Sequence, residues 1–271
     1  MSTPASSLRR ELSARNIGRA SGLQHELSYG EVPCVVYREE GRSHGNFLDA
    51  SYRAICARPD WRRRLEKSYT GAQWIPRRWD RVGRRELDCA SSSDALLMNI
   101  FCYRRVLQRA GLCSLLGIEA GLVPEFGFKP LAPLQKRGVD RTEIDMKLGE
   151  LLVEAKLTES GFRPAAPHLV SRYRDFEEVF DVAELLTEEG LIFGYQLVRG
   201  ILAAYNTGGS FALLSDQRRG DLTESWFRVM QSVRSYSFRS RLKLFTWQEV
   251  TPHLPQRVKA FLKEKYGILP N

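Results

Sequence analysis

The stretch RTEIDMKLGELLVEAKLTE at residues 141–159 decides how the central part of this chain folds. Gly149 and Glu150 suit a two-residue hairpin turn, since a type II′ turn prefers glycine at its first central position. The arms on either side are rich in β-forming residues, so we expect an antiparallel hairpin in which Leu148 pairs with Leu151. The pairing of every residue farther out then follows from this turn.

This register brings two acidic residues together. Counting outward from the turn, Asp145 falls directly opposite Glu154, and Glu143 falls opposite Lys156. Side chains alternate between the faces of a strand. We therefore expect one charged face and one apolar face, and the apolar face would hold Ile144, Met146, Val153, Ala155 and Leu157.

The paired acids point to metal chemistry. Opposed side chains in an antiparallel pair have Cβ atoms about 4.5–5.5 Å apart, and two like charges there are destabilising unless something neutralises them. Oxygen ligands from Asp145 and Glu154 suit Mg²⁺, and Lys156 could orient a water or offset developing negative charge at a phosphate. The alternative is an exposed hairpin face on which Glu143 and Lys156 form an ordinary surface ion pair.

The pattern Asp145 followed by Glu154-Ala155-Lys156 resembles the PD-(D/E)xK nuclease superfamily, which includes type II restriction endonucleases and RecB-like nucleases. The chain looks most similar to restriction-endonuclease-like proteins with an SSQ helix start, an IExKYTE strand and a QLxRN helix. The corresponding segments here are Ser92-Ser93-Asp94, residues 153–159 and Gln196–Gly200. Asp94 stands where that pattern has Gln, and Gly200 where it has Asn.

The resemblance implies a role for each residue. Asp145, Glu154 and the backbone carbonyl of Ala155 would hold Mg²⁺, for which Mn²⁺ could substitute. Lys156 would take the role of the catalytic lysine, and Gln196 would project toward the metal. Members of the superfamily often carry a further acidic residue on a helix, and the candidates here are Glu119, Glu125 and Asp94, while Glu159 is either a supporting residue or a plain surface glutamate.

A basic segment precedes the helix that starts near Ser92. Residues 51–90 hold eleven Lys and Arg against five Asp and Glu, a large share of the net charge of +9. Such a mixture of aromatic and basic residues suits phosphate contacts and base stacking. The candidate nucleic-acid-binding residues are Trp74, Arg77, Arg78, Arg81, Arg84 and Arg85. A solvated basic face, anchored to the core by its tryptophans, explains the same composition.

Strands alternate with helices along the chain, which predicts an α/β fold with a restriction-endonuclease-like mixed central sheet flanked by helices. A helical, basic N-terminal elaboration would precede it. We expect a polar leader with one short strand at 1–46, a basic extension at 47–90 and the nuclease-like domain at 91–271. Within that domain, a helix from residue 94 is expected to end at Gly111, and another to cover DFEEVFDVAELL.

Composition narrows the class of protein. The five cysteines are odd in number and widely spaced, which argues against a disulfide framework or a structural zinc site. No apolar run approaches the roughly 20 residues that span a bilayer, and no signal peptide is evident, so we expect a cytoplasmic protein without a membrane partner. The four histidines lie outside HNH and HExxH patterns, and neither a phosphate-binding loop nor a serine-hydrolase elbow is present.

These patterns predict a Mg²⁺-dependent phosphodiesterase, an endonuclease or exonuclease acting on nucleic acid, with DNA the expected substrate. Two other classes stay open. One is a nucleic-acid-binding protein that keeps the nuclease fold without turnover, and the other is a structural or regulatory protein whose basic segment binds protein or RNA. Self-association into a homodimer and work beside defence-system partner proteins are also open.

Overall fold

The structure is a computed structural model that describes residues 3–69, 77–79 and 81–270. The chain divides into two compact units, Met1–Pro124 with Trp247–Asn271 and Glu125–Thr246. The expected boundary between residues 90 and 91 thus falls inside the first unit. None of the described helices combines the length and the apolar character that crossing a bilayer requires.

The helices and strands are numbered in chain order. The first unit begins with α1 Pro4–Arg19, β1 His25–Leu27, β2 Val35–Tyr37, β3 Glu39–Glu40, β4 Ser43–His44, α2 Asp49–Cys56, α3 Pro59–Arg64, α4 Ser93–Phe101 and α5 Ala110–Leu116. The second unit holds β5 Glu125–Phe128, β6 Ile144–Leu148, β7 Leu151–Ala155, α6 Pro167–Ser171, α7 Phe176–Val179, α8 Val182–Leu185, α9 Tyr195–Thr207, β8 Ser210–Ser215, α10 Gly220–Ser232, α11 Tyr236–Arg239 and β9 Leu242–Thr246. The first unit closes with α12 Trp247–Val250 and α13 Gln256–Tyr266.

A mixed sheet forms the centre of the second unit. Its five strands, counted over the described residues, lie in the order β5-β6-β7-β8-β9. The pairs β5/β6 and β6/β7 are antiparallel, whereas β7/β8 and β8/β9 are parallel. Helix α9 packs against β7 and β8, and α10 contacts β9. This arrangement confirms the predicted α/β fold with a mixed central sheet flanked by helices, and it is compatible with a restriction-endonuclease-like fold.

The hairpin between β6 and β7 has the predicted turn and register. Gly149 adopts a φ of 57°, which is strained for other residues, and the flanking strands pair from Leu148↔Leu151 through Lys147↔Leu152 to Met146↔Val153. Because the turn fixes this register, the hairpin needs no distant contact to align Asp145 with the far end of β7.

The expectation of one apolar and one charged face is wrong for β7. All five residues of this strand are buried, including Leu152 and Glu154, because α9 covers the face on which these two side chains lie. Leu152 joins the core cluster of the second unit together with Phe211 and Leu213 of β8. Glu154 is therefore buried and not on a solvated face, whereas Asp145 and Lys147 of β6 are half-buried.

Helix α9 carries an apolar stripe that explains its position on the sheet. Leu197, Ile201 and Leu202 are fully buried in the same cluster as Phe211. At Gly200 the helix comes so close to the sheet that a Cβ would lie 2.3 Å from the Phe211 ring. Only glycine fits there, which accounts for Gly200 at the position where the QLxRN pattern has Asn.

The first unit contains the basic segment and both ends of the chain. Helix α1 packs against α13, where the Asn16 side chain donates to the Lys265 carbonyl (3.1 Å). The side chain of Ser92 accepts from the Ala95 backbone N–H at 3.1 Å, so Ser92 is the N-cap of α4. All five cysteines, each within the described residues, carry free thiols.

Two helix predictions need correction. Helix α4 ends at Phe101 because the following chain turns through Arg105 in the left-handed conformation, and Gly111 lies inside α5, where a Cβ would meet the His253 ring at 2.5 Å. The segment DFEEVFDVAELL forms two short helices, α7 and α8. They are separated by extended Phe180 and by Asp181, whose side chain caps Ala183.

Candidate active site

The open end of the hairpin positions Asp145. Just beyond the Met146↔Val153 pair, the backbone N–H of Ala155 donates to Oδ2 of Asp145 at 2.8 Å. A side chain on β6 thus satisfies a backbone donor on β7, and its carboxylate is held beside the last residue of that strand. A residue in a strand turns its N–H and C=O toward the same neighbouring strand, so the Ala155 carbonyl also lies on the β6 side.

Glu154 and Lys156 lie on one face of the chain as it leaves β7, because they are two residues apart. Lys156 Nζ is 2.9 Å from Oε1 of Glu154, and the two residues are only 8% and 2% exposed. Lys156 therefore pairs with Glu154, while Glu143 lies 3.9 Å from Lys129 Nζ. This buried pair replaces the surface pair between Glu143 and Lys156 that the sequence left open.

The charges around Lys156 are mainly negative. Burial alone would lower the pKa of its ammonium group, but the carboxylates of Glu154, Glu159 and Asp145 outweigh burial and raise the pKa above its ordinary value. Lys156 consequently keeps its positive charge over the whole physiological pH range. Its Nζ also lies 5.7 Å from the centre of the Phe162 ring, which helps to shield the pair from solvent.

Gln196 stands in the first turn of α9 and donates its side-chain N–H to Oε1 of Glu154. The same oxygen therefore receives hydrogen bonds from Gln196 and from Lys156. Two donors on one oxygen fix the rotamer of the carboxylate. The start of α9 thus brings the Gln196 side chain to Glu154, while its expected position toward a metal stays a prediction. Arg199, three residues later, instead pairs with Asp140 at 3.5 Å.

The loop after Lys156 is held by Arg219, which the sequence did not single out, and by Glu159, which it did. Arg219 is fully buried and donates to the Leu157 carbonyl at 2.8 Å, while a bidentate pair joins it to Asp221. Glu159 accepts from the Leu157 backbone N–H at 2.6 Å, which makes it a supporting residue of this loop. The run SDQRRGD, which begins at the last residue of β8, was the available signal for Arg219.

The donor atoms at this end of the hairpin are hard oxygens. Over the described residues, no group of three or more His, Cys, Asp or Glu side chains is arranged to hold a metal ion. The side chains of Asp145 and Glu154 supply two carboxylates, and the Ala155 carbonyl lies on the same side as Asp145. A carboxylate has two oxygens and about four lone-pair directions, so the contacts at Oδ2 and Oε1 leave further acceptor capacity.

The predicted nucleic-acid-binding arginines of the first unit fall into two groups. Arg77 and Arg84 are buried, and their guanidinium groups pair with Asp88 at 3.2 Å and with Glu26 at 3.4 Å. These ion pairs neutralise their charges inside the first unit, so the two guanidinium groups are less available to bind phosphate. Arg78 and Arg81 are exposed and Arg85 is half-buried, whereas Trp74 lies outside the described residues.

The three candidates for an additional acidic residue lie in different places, and each has a different environment. Glu125 lies on β5 and not on a helix, 3.9 Å from Lys147 Nζ. Glu119 is exposed in the chain after α5. Asp94 is the one of the three that lies on a helix, but its buried carboxylate binds Arg64 and Lys67 of the first unit at 3.1 Å and 2.6 Å.

Comparison with known proteins gives one family. A family model described as Restriction Endonuclease associating with ARP matches residues 21–267, which is most of the chain. No curated protein and no solved structure gives a significant match. The match includes the hairpin of β6 and β7, helix α9 and the basic segment. The chain therefore belongs to the family of restriction endonucleases associating with ARP.

Proposed function

We propose that this protein is a Mg²⁺-dependent nuclease that hydrolyses phosphodiester bonds, with DNA as its substrate. The observation that carries the proposal is the buried cluster in which Glu154, held by Lys156 and Gln196, shares the end of one hairpin with Asp145. Membership in a restriction-endonuclease family supports a nuclease function in general. That the nuclease depends on Mg²⁺, acts on DNA and turns over its substrate is what we propose in addition.

The charge balance favours a cation at this site. Asp145, Glu154 and Glu159 all act on the single ammonium of Lys156, so these four residues, of which Glu154 and Lys156 are buried, are net negative. Uncompensated buried charge is costly, and a divalent cation would neutralise it. The cluster therefore has a physical reason to bind a metal that an exposed hairpin face would lack.

The donor set fits Mg²⁺. This ion is usually bound by one or two carboxylates and keeps waters and substrate phosphate in its other positions. Asp145, Glu154 and the Ala155 carbonyl would hold it, and Mn²⁺ could take its place. When bound, the cation would supply Lewis-acid polarisation of the phosphate and a more acidic water.

The residues of the chain would do the remaining work. Lys156, which stays protonated, would donate to the attacking water or to a non-bridging phosphate oxygen as negative charge develops there. Gln196 would keep Oε1 of Glu154 oriented, as partners of metal-binding carboxylates commonly do. Arg219, through the Leu157 carbonyl, would hold the backbone directly after Lys156 in place.

The family description also names an ARP partner. We therefore propose that the chain acts together with such a protein, which would bring the nuclease to its substrate or control it. Co-purification of the two proteins from cells that express both would support this partnership. An active nuclease that never associates with ARP would contradict the partnership and leave the hydrolytic proposal intact.

The test is a cleavage assay on plasmid and linear DNA with Mg²⁺ or Mn²⁺. The wild-type protein should nick or cut DNA, and EDTA should stop it. Glu154→Gln and Lys156→Met should each lose activity by about 100-fold or more, because each removes a group that stabilises the reaction. Binding of Mn²⁺ to wild type and to Glu154→Gln, followed by electron paramagnetic resonance, gives a readout that does not depend on turnover.

Two matched variants serve as controls. Glu143→Gln and Lys147→Met remove the same charges from the same hairpin, where the native pairs are the longer contacts with Lys129 and Glu125. Both controls should keep activity within about twofold. Equal activity in wild type, Glu154→Gln and Lys156→Met would show a contaminating nuclease, and DNA binding without cleavage would favour the protein that keeps this fold without turnover.

A further inference from the structure

The first unit contains a cavity of about 620 Å³ between α2–α3 and the chain after α4. Ligand sites typically occupy about 300–1,000 Å³. Its lining includes the buried side chains of Trp61, Phe101 and Leu107, together with the small side chains of Ala50 and Ala54. The cavity thus has an apolar interior large enough for a heterocyclic base.

Four arginines line this cavity: Arg53, Arg58, Arg104 and Arg105. All four are exposed, and the lining includes neither Asp nor Glu. In the described part of the chain, no ion pair joins any of them to a carboxylate. By contrast, Arg77 and Arg84 of the basic segment form buried ion pairs, with Asp88 and Glu26 respectively. The positive charge of these four arginines is therefore available to an external anion.

The cavity also offers aromatic surface beside the charge. The guanidinium carbon of Arg58 lies 4.6 Å from the centre of the Trp61 ring, and Tyr103 is half-buried in the lining. Bases of single-stranded nucleic acid stack on aromatic rings and on arginine planes. A duplex keeps its base faces inside the stack, so the aromatic rings of this cavity can stack only on a base that is unstacked.

The backbone holds one of these arginines in an unusual conformation. Arg105 has a φ of 60°, in the left-handed region that residues other than glycine rarely adopt. Strained backbone of this kind is often kept where a side chain has a task. Here the turn presents Arg104 and Arg105 as neighbours at the edge of the cavity.

We propose that this cavity binds a nucleotide of single-stranded nucleic acid. The base would enter the space lined by Trp61 and Phe101, and the adjoining phosphates would contact Arg104 and Arg105 on one side and Arg53 and Arg58 on the other. This site belongs to the first unit and does not require hydrolysis at the hairpin of the second unit. It defines an anchoring site that is separate from the proposed catalytic residues.

Binding is measured with the full-length protein in EDTA, by fluorescence anisotropy of a labelled 12-nucleotide single strand. The double variant Arg104→Gln/Arg105→Gln should weaken binding by about tenfold or more. The dependence of log K on log salt should become less steep by roughly 1.4, because two phosphate contacts are lost. The control Arg42→Gln/Arg257→Gln removes two exposed arginines outside the cavity lining and should change binding less than twofold.

A second arm tests entry of the base. An abasic strand of the same length should bind the wild-type protein about tenfold more weakly, since it lacks the stacking surface. Ala54→Trp fills the cavity and should bind the normal and abasic strands equally, with its fold checked by circular dichroism. The arginine variants keep the test decisive if this variant does not fold.

Several results would overturn the proposal: equal affinity for duplex and single strand, equal affinity for normal and abasic strands in the wild type, or no effect of the arginine pair. Binding of a free mononucleotide without any binding of the strand would also overturn it. Because EDTA prevents the proposed hydrolysis, and because the arginine variants change residues outside the hairpin of β6 and β7, failure here is distinguishable from failure of the nuclease proposal.

Discussion

The backbone N–H of Ala155 donates to Oδ2 of Asp145 across 2.8 Å, so the proposed metal-binding aspartate also holds the open end of the hairpin together. This double role makes two substitutions informative. Asp145→Asn keeps an oxygen that can accept from Ala155 but loses the charge. We expect activity to fall about 100-fold or more, with the free energy of unfolding changed by less than about 1 kcal/mol.

Asp145→Ala loses the acceptor as well, and it should cost a further 1–3 kcal/mol or so of stability because the Ala155 donor is left unsatisfied. Urea unfolding and the DNA-cleavage assay on both variants measure the two effects separately. If Asp145→Asn retained full activity, Asp145 would be a structural residue only.

The hydrogen bond from Gln196 to Glu154 predicts an effect on metal affinity. Removing its hydrogen bond to Glu154 frees the carboxylate to rotate, and loss of such a supporting partner typically costs about 10–100-fold in metal affinity or activity. Gln196→Ala should therefore raise the Mg²⁺ concentration for half-maximal cleavage by about tenfold or more. Gln231→Ala on α10 is the control, and a purely structural role for Gln196 would lower stability without moving the Mg²⁺ dependence.

The hairpin could be predicted from the sequence because its information is local. Gly149 dictates the turn, the turn dictates the register, and the register carries Asp145 to the end of β7 where Ala155 binds it. The position of Gln196 needed more than local pattern. It was expected from the resemblance alone, and α9 reaches Glu154 from more than 40 residues away.

Burial of the site was not predicted, because the groups that cover it are distant in sequence. Alternation along β7 predicts that Glu154 lies on a charged face of the hairpin. It does not show that α9 lies over that face. The same limit applies to the basic segment. Arg84 pairs with Glu26, 58 positions away, and nothing in a run of arginines shows which of them will find such a partner.

Arg219 makes a prediction about stability. It is fully buried, and Arg219→Met would leave the Leu157 carbonyl and the Asp221 carboxylate without their guanidinium partner. Breaking a buried pair by removing one side costs about 3–5 kcal/mol, and partial exposure of Asp221 places this pair near about 3 kcal/mol. Chemical denaturation measures the loss, and the exposed Arg42→Met should change stability by less than about 0.5 kcal/mol.

The environment of Cys34 predicts how the reactivity of its thiol depends on pH. Its thiol faces Cys89 and lies 3.4 Å from the Ser91 hydroxyl, and the hydrogen bond from Cys89 is the main reason that the pKa of Cys34 is lowered to about 6. The thiolate is the reactive form, so alkylation by iodoacetamide should reach half its maximal rate near pH 6, whereas an ordinary cysteine does so near about pH 8.5.

Mass spectrometry of the labelled peptide follows Cys34 directly. Cys34→Ser should remove the labelling seen at pH 6–7, and Cys89→Ala should shift the profile of Cys34 toward the ordinary range. Labelling of Cys34 that begins only above pH 8 would contradict the effect of Cys89.

The buried ammonium group of Lys265 predicts that the stability of the fold depends on pH. The side chain is fully buried and donates to Asn46 and to the Tyr266 hydroxyl (2.7 Å), and burial, helped by Arg19, lowers the pKa of its ammonium group well below the ordinary value. Between that lowered pKa and about 10.4, the unfolded chain binds more protons at this residue than the folded one. The contribution of Lys265 to folding is therefore least favourable at low pH and improves as pH rises.

Lys265→Met removes this titration and keeps much of the volume. The unfolding free energy of the wild type should rise relative to that of the variant between pH 7 and 9.5, by up to about 1.4 kcal/mol per pH unit where Lys265 is neutral in the folded state. Lys259→Met, at a partly exposed position of α13, should show a difference that does not change with pH. A constant difference for Lys265→Met as well would mean that the buried ammonium stays charged, held by Asn46 and the surrounding aromatic rings.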